Sequence, residues 1–304
     1  MTEGVRMSAA KRDSAPLSSQ LERNMRDRAM LDDATFGRPE RTRVIAVANQ
    51  KGGVGKTTSA VNIAAGLALG GLNVIVIDAD AQGNASSALG VEHVAGTPST
   101  YDVLIGGTAL ADVLQECPDV ENLRVCPATI DLSGAEIELV DIARREFLLA
   151  DAVREFLSVN RDVDVILIDC PPSLGLVTLN VMVAADEVMI PIQTEYYALE
   201  GLSQLWNTIE RIKSLNPQLR VSTMLLTMSD RRTKLSEEVE AEVREHFPML
   251  TMKTVIPRSV RVSEAPSYGQ TVVTYDPRST GAIAYRKAAL ELSLRLAGVL
   301  PIEE

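Results

Sequence analysis

The chain has 304 residues, 46% of them apolar, enough to bury a full core as one large α/β unit or two smaller ones. No stretch reaches the roughly 18 uninterrupted apolar residues of a membrane span, MTEGVRMSAAKRD lacks the apolar core of a signal peptide, and Cys117, Cys126 and Cys170 make neither a C-x-x-C pair nor a disulfide framework. These features predict a reducing cytoplasm and exclude a paired-thiolate iron–sulfur site, while the net charge of −11 taken alone argues against a polyanionic partner.

Residues 1–42 differ from the rest of the chain. They are polar, carry no strand pattern, and residues 1–43 hold nine Lys and Arg. A short helix from Ser18 to Met30, ended near Gly37-Arg38-Pro39, fits the pattern, and the whole extension is expected to be a mobile tail. A sharper reading makes it a basic arm that touches DNA or a partner.

The first strand is expected over 44–48. Directly after it comes Lys51-Gly52-Gly53-Val54-Gly55-Lys56-Thr57-Thr58, and then an apolar-periodic stretch over 60–69. A glycine-rich turn between a buried strand and a helix is the context of a phosphate-binding loop. Glycines at 52, 53 and 55 let successive N–H groups point inward, and the helix start adds partial positive charge. In that loop Lys56 reaches the β- and γ-phosphates and the Thr57 hydroxyl holds Mg²⁺. Gln50 stands where the usual pattern has its first glycine, and a second lysine, Lys51, opens the loop. A lysine there points away from its own phosphates, which suggests that it serves a neighbouring copy.

Further strands are expected over 74–78, 123–126, 163–169, 187–191 and 222–227, and helices over 58–69, 133–157, 176–184, 199–215, 236–246 and 282–296. Strands alternating with helices imply an α/β, doubly wound, mostly parallel sheet with helices on both faces. Right-handed crossovers then put ligands at the carboxyl ends of the strands. One domain, 43–300, accounts for everything beyond the extension.

Two strands end in acids. The second runs into Asp78-Ala79-Asp80-Ala81-Gln82-Gly83-Asn84, which delivers two carboxylates to one side of the sheet edge; one would orient or deprotonate water and the other hold the Mg²⁺ shell. Another, Val163-Asp164-Val165-Ile166-Leu167-Ile168-Asp169, has the form of a Walker B strand whose aspartate reaches Mg²⁺ through water. Cys170-Pro171-Pro172-Ser173 come next, and the two prolines force the chain out of the strand. Neither histidine, His93 nor His246, lies where it would activate Cys170.

The variant loop resembles the deviant Walker A of the ParA/MinD group of ATPases, in which the early lysine crosses the interface of an ATP-sandwiched dimer. Later segments narrow the resemblance. Asp78 to Asn84 is similar to the D-x-D-P-Q-G-N switch, with Ala81 in place of the proline. Glu195-Tyr196-Tyr197-Ala198-Leu199-Glu200-Gly201-Leu202, Leu226-Thr227-Met228-Ser229-Asp230-Arg231-Arg232-Thr233, 255–266 and 275–282 resemble successive blocks of chromosomal ParA (Soj) proteins, in order. Coverage runs from about Arg43 to Leu296.

The resemblance implies a P-loop ATPase that uses ATP and Mg²⁺, with Asp80 as the hydrolytic aspartate, catalytic lysines at 51 and 56, and Pro257 and Ser259 against the adenine. It also implies a homodimer formed on ATP binding, nonspecific double-stranded DNA as substrate surface, a ParB-like centromere-binding partner that triggers hydrolysis, slow intrinsic turnover, and a cytoplasmic, nucleoid-associated location without membrane binding. For DNA it assigns Arg232. Residues 210–261 hold ten Lys and Arg against seven Asp and Glu, and on charge alone Arg211, Lys213, Arg231, Lys234, Arg258 and Arg261 are further candidates for sequence-independent phosphate contacts. Two other readings use the same chemistry: a MinD-like regulator on a membrane surface, opposed by a chain that ends with a proline and two acids, and a ParA-like ATPase that positions a protein cargo.

Overall fold

The computed structural model describes residues 17–195, 200–230 and 232–300. Its centre is a seven-stranded sheet in the order β3-β4-β2-β5-β1-β6-β7. The strands are β1 (Arg43–Val47), β2 (Val74–Asp78), β3 (Gln115–Glu116), β4 (Leu123–Cys126), β5 (Val165–Asp169), β6 (Glu187–Gln193) and β7 (Arg220–Thr227). All pairings are parallel except the short edge pair of β3 with β4. A parallel sheet needs helical crossovers, which cover both faces, so its strands read as unbroken apolar runs instead of alternating ones.

Parity along the strands shows this directly. Val44, Ala46, Ile166, Ile168, Val188 and Ile190 join a core with the Leu148–Val159, Leu176–Ala184 and Glu200–Ile212 helices. Their neighbours Ile45, Val47, Val165, Leu167 and Met189 join the opposite core, built with the Lys56–Leu69 and Thr280–Leu296 helices. The crossover after β1 therefore lies on one face and that after β5 on the other. Between them, at the carboxyl ends of β1 and β5, the chain parts in two directions and leaves the crevice in which such sheets bind ligands.

Two expectations change. The helix read over 133–157 is two helices, Leu132–Glu138 and Leu148–Val159, with a single 3₁₀ turn at Leu139–Asp141 and irregular chain between. Asn180, fully buried on the neighbouring Leu176–Ala184 helix, makes the break: its Nδ2 donates to the Arg145 carbonyl at 2.7 Å, and its Oδ1 accepts from the Leu149 N–H at 3.2 Å. Arg144 takes φ 57° to turn the corner. Local periodicity cannot see a cap supplied from another element.

The second change concerns the extension. Leu17–Asp33 is one helix that packs along Thr280–Leu296, with Leu31 buried and ion pairs Asp27–Lys287 at 2.6 Å and Asp32–Arg286 at 2.8 Å. The chain then crosses the body as a strap. Phe36 is buried against Gly70, where a Cβ would lie 2.4 Å from the ring, and the Gly37 N–H donates to Ser293 Oγ. Arg38 pairs with Asp164 at 2.6 Å. From residue 17 onward the expected tail is thus docked on the domain; residues 1–16 lie outside the described residues.

Candidate functional site

The loop from Asn49 to Gly55 leaves β1 held from both sides. Asn49 Nδ2 donates to the Pro191 carbonyl at 2.8 Å and its Oδ1 accepts from the Lys51 N–H at 3.0 Å. On the far side Thr227 Oγ1, at the end of β7, donates to the Val54 carbonyl at 2.8 Å. Gly53 and Gly55 have φ of 73° and 87°, the left-handed region that side chains avoid, and Gly55 is the residue from which the Lys56–Leu69 helix starts. The loop is therefore a nest of N–H groups at a helix N-terminus, a geometry made for an anion.

Lys56 is folded into this nest and almost enclosed; its ammonium meets only the Lys51 carbonyl, at 3.5 Å. Lys51, by contrast, is exposed at the lip, with Gly52 and Gly53 beside it. Val54 is buried, and Thr57 and Thr58 sit in the first helical turn, half-buried. Gln50, half-buried at the start of the loop, has its side-chain amide nitrogen buried without an acceptor among the described residues.

Across the crevice, Asp169 ends β5 in register with Val47 on one side and Asp78 on the other. It is fully buried, and among the described residues neither carboxylate oxygen has a partner at hydrogen-bond geometry. Burial first, then the neighbouring charge of Asp78, pushes its carboxyl well above the usual range; the nearby Thr57 hydroxyl and Lys56 oppose this. An orphaned, desolvated carboxylate beside a threonine hydroxyl and a phosphate nest is a donor set that fits a hard divalent cation such as Mg²⁺, held directly or through its water.

Asp78 and Asp80 divide differently from expectation. Asp78 is fully committed: Oδ2 accepts from the Ser86 N–H and hydroxyl at 2.9 and 2.7 Å, and Oδ1 accepts from the Asp80 N–H at 3.1 Å. Its carboxyl is raised to about 6 by burial, with the Ser86 bonds opposing. It staples the turn after β2, with both oxygens already engaged in hydrogen bonds. Asp80 remains half-exposed at the sheet edge, where Oδ1 accepts from the Gln82 N–H at 3.0 Å. Ser86 in turn accepts from the Ala128 N–H, tying this turn to the segment after β4; nothing in the sequence pattern signals that serine. Cys170 is completely buried, with its thiol pushed far up by desolvation, so it is no nucleophile.

The segment matched to the adenine strip is held beside the loop. The Ser229 N–H donates to the Ile256 carbonyl and the Arg258 N–H to the Ser229 carbonyl, each at 3.0 Å, so Pro257 extends the sheet next to the end of β7. Ser259 stands at the N-cap position of the Val260–Glu264 helix, close to Gly281. Sequence reading missed what fixes this strip. Glu291 accepts from the Lys253 and Thr254 N–H groups at 2.7 and 2.9 Å, and Arg295 donates to the carbonyls of Met249, Leu250 and Thr251. This buried pair on the C-terminal helix clamps the strip against the sheet.

The basic candidates fall into two groups. Arg232 and Arg258 line a cleft at the carboxyl end of β7 that also has Lys253 and Lys287 on its wall, and Arg261 stands one turn beyond Arg258. Each arginine has a carboxylate partner: Arg232 grips Asp230 through two nitrogens at 2.8 and 2.7 Å, Arg258 pairs with Glu195 at 2.9 Å, and Arg261 with Glu264 at 2.8 Å. Such exposed pairs are worth little, so an arriving phosphate can replace them. Lys213 lies at the other end of β7, lining a cleft with Arg220 and tied to Glu210 at 2.7 Å, and Arg211 stands in the last turn of the Glu200–Ile212 helix that leads there. The length of β7 separates the groups by roughly 25 Å, at about 3.3 Å per residue. Arg231 and Tyr196–Leu199 lie outside the described residues, whereas Lys234 is exposed on the helix after them.

Comparison with known proteins agrees with this arrangement. An AAA domain family model matches residues 42–221. Sporulation initiation inhibitor protein Soj of Bacillus subtilis is 50% identical over 252 residues, covering 83% of this chain and 98% of that protein. Chromosome partitioning protein ParA of Caulobacter vibrioides is 50% identical over 254 residues, covering 83% of this chain and 94% of its own. Among solved structures, one described as cobyrinic acid a,c-diamide synthase from Mycobacterium smegmatis, with bound ATP analog and magnesium, superposes with a TM-score of 0.72 at 36% identity, covering 86% of this chain and all of that one.

Proposed function

This chain belongs to the Soj/ParA family of chromosome-partitioning ATPases, and from that membership we propose that it is a DNA-segregation ATPase whose ATP-held dimer rides on DNA of any sequence and is released on hydrolysis. The ligands of the loop are ATP and Mg²⁺, as in the magnesium- and nucleotide-bound relative. In this reading Lys56 and the N–H nest hold the β- and γ-phosphates, while Thr57 and Asp169 hold the metal. Bound Mg²⁺ supplies charge neutralisation for phosphoryl transfer. Asp80 orients the attacking water from the sheet edge, and Pro257 and Ser259 flank the base. Lys51, exposed at the lip, reaches the nucleotide of a second copy. A ParB-like partner stimulates turnover that is slow on its own, and the protein works in the cytoplasm on the nucleoid.

One observation carries the link between nucleotide and DNA. Thr227 at the end of β7 holds the phosphate loop, and two residues later Ser229 holds Arg258. The arginine cluster is therefore mounted on the same strand end that the loop leans on, so nucleotide state and DNA face share a support. Two such faces in one dimer gain avidity with no new contact.

Among the described residues no helix is long and apolar enough to cross a membrane, and the Thr280–Leu296 helix turns its apolar face into the core, so that face is not offered to a membrane surface.

The test is binding of an arbitrary DNA duplex with ATP, with ADP, and with ATP on Lys51→Ala, at two salt concentrations. Binding is expected only with ATP and intact Lys51. DNA ignored in every nucleotide state would leave an ATPase that positions a protein cargo.

A further inference from the structure

The stretch after Asp169 is held in an unusual way. At its start the Cys170 N–H donates to the Val47 carbonyl at 3.2 Å, inside the sheet. Pro171 and Pro172 come next without N–H groups, and then Thr178 Oγ1 donates to the Ser173 carbonyl at 2.7 Å. The far end is pinned from outside. Glu136, on the Leu132–Glu138 helix, points its carboxylate at the start of the Leu176–Ala184 helix, where Oε2 accepts from the Leu176 N–H at 2.7 Å and Oε1 from the Val177 N–H at 3.2 Å. It supplies the acceptors that a capping side chain of that helix's own sequence would supply, because the capping position is Gly175, which has none.

Gly175 explains itself by space, not by backbone. Its φ of −85° is open to any residue. A Cβ there would lie 2.2 Å from Glu136 Oε1 and 2.4 Å from Oε2. The missing side chain is the slot through which the carboxylate enters, so residues 136 and 175 form a lock and its keyhole. The helix that carries the key is itself seated in the core by Leu132 and Ala135, and the 3₁₀ turn after it by Leu139, all buried.

We propose that Glu136 is a positioning residue of the ATPase cycle. By pinning the end of 170–175 it sets where Pro171 and Pro172 stand beside Asp169 and the phosphate nest, and so governs the turnover step and not the affinity for nucleotide. The inference rests on the ATPase reading above. Loss of the pin lets the proline segment drift while the phosphate loop, on the other strand, keeps its shape.

A double-mutant cycle tests it. Glu136→Ala, Gly175→Ala and the double variant are compared with the unaltered chain in three measurements: affinity for a fluorescent ATP analogue, kcat with Mg²⁺ and ATP, and hydrogen exchange of the Leu176 and Val177 amides. Each single variant is expected to keep its affinity within about twofold, lose roughly tenfold in kcat, and exchange those amides roughly tenfold faster, the scale of a lost helix cap. In the double variant Gly175→Ala adds nothing, because there is no carboxylate left to displace. Glu136→Gln keeps size and one acceptor, is expected to retain most of kcat, and keeps the test open if the alanine variant does not fold. Full kcat in Glu136→Ala, or losses that add in the double variant, overturn the proposal. An unaltered chain without ATPase activity refutes the function, while the exchange cycle still reports whether the pin exists.

Discussion

Lys56 and Asp169 are both held in ways that cost stability in the nucleotide-free protein. The lysine is enclosed with one distant carbonyl for company, and the aspartate is buried with only the Thr57 hydroxyl and Lys56 nearby to offset its desolvation. Lys56→Ala is expected to abolish ATP binding in a titration while the protein stays folded; retained affinity would refute the phosphate-loop assignment. Asp169→Asn is expected to do the opposite to stability and activity. Replacing a buried carboxyl that ionises only at a desolvation cost by a neutral amide should raise nucleotide-free stability in urea by about 1–3 kcal/mol at pH 7 and above, while Mg²⁺-dependent turnover is lost. The pH dependence has a definite sign. Folded Asp169 and Asp78 hold their protons above the unfolded value, so stability falls as pH rises from about 4, through about 6 for Asp78; the Asn variant should show a shallower fall. The loop and Asp169 were legible in the sequence because strand, glycines, lysine and acid are adjacent in the chain. Asp78's commitment to Ser86 was not, since a carboxylate at a strand end looks the same whether it faces a ligand or a serine eight residues on.

The elements were legible where periodicity and burial agree. Six strands and most of the long helices lie within a few residues of their expected places, since a parallel sheet covered on both faces writes its strands as apolar runs. The failures have one cause, a contact supplied from elsewhere in the fold. Asn180 breaks what reads as a continuous helix by taking the Arg145 carbonyl and capping at Leu149. Asn180→Ala leaves that carbonyl and N–H buried and unpaired, so a loss of about 1–3 kcal/mol in chemical denaturation is expected, with little change in ATP affinity. A cost near zero would mean that water replaces the side chain. Likewise, the polar extension reads as a tail because its apolar residues are few. Leu31 and Phe36 are enough to dock it, given that Gly70 makes room for the ring.

For the whole molecule the proposed DNA binding raises the question of how a chain with net charge −11 would hold a polyanion. A local cluster answers it if the rest of the surface is kept away, since screening confines each charge to about 8–10 Å at physiological salt. Arg232 and Arg258 form such a cluster at one end of β7, with Arg261 three residues beyond Arg258, and the proposed dimer would present it twice. Six phosphate contacts predict a slope of about −5 in log affinity against log salt, or about a thousandfold loss between 50 and 200 mM. Arg261→Ala removes one contact per protomer, so the slope should fall in magnitude by about two, uniformly over DNA sequences. Arg211→Ala, at the opposite end of β7, should leave the slope unchanged. Titration by fluorescence anisotropy at four salt concentrations distinguishes these outcomes. A slope altered by Arg211 but not by Arg261 would move the DNA face to the amino end of the sheet, away from the phosphate loop, and the shared support at Thr227 and Ser229 would then no longer connect ATP to DNA.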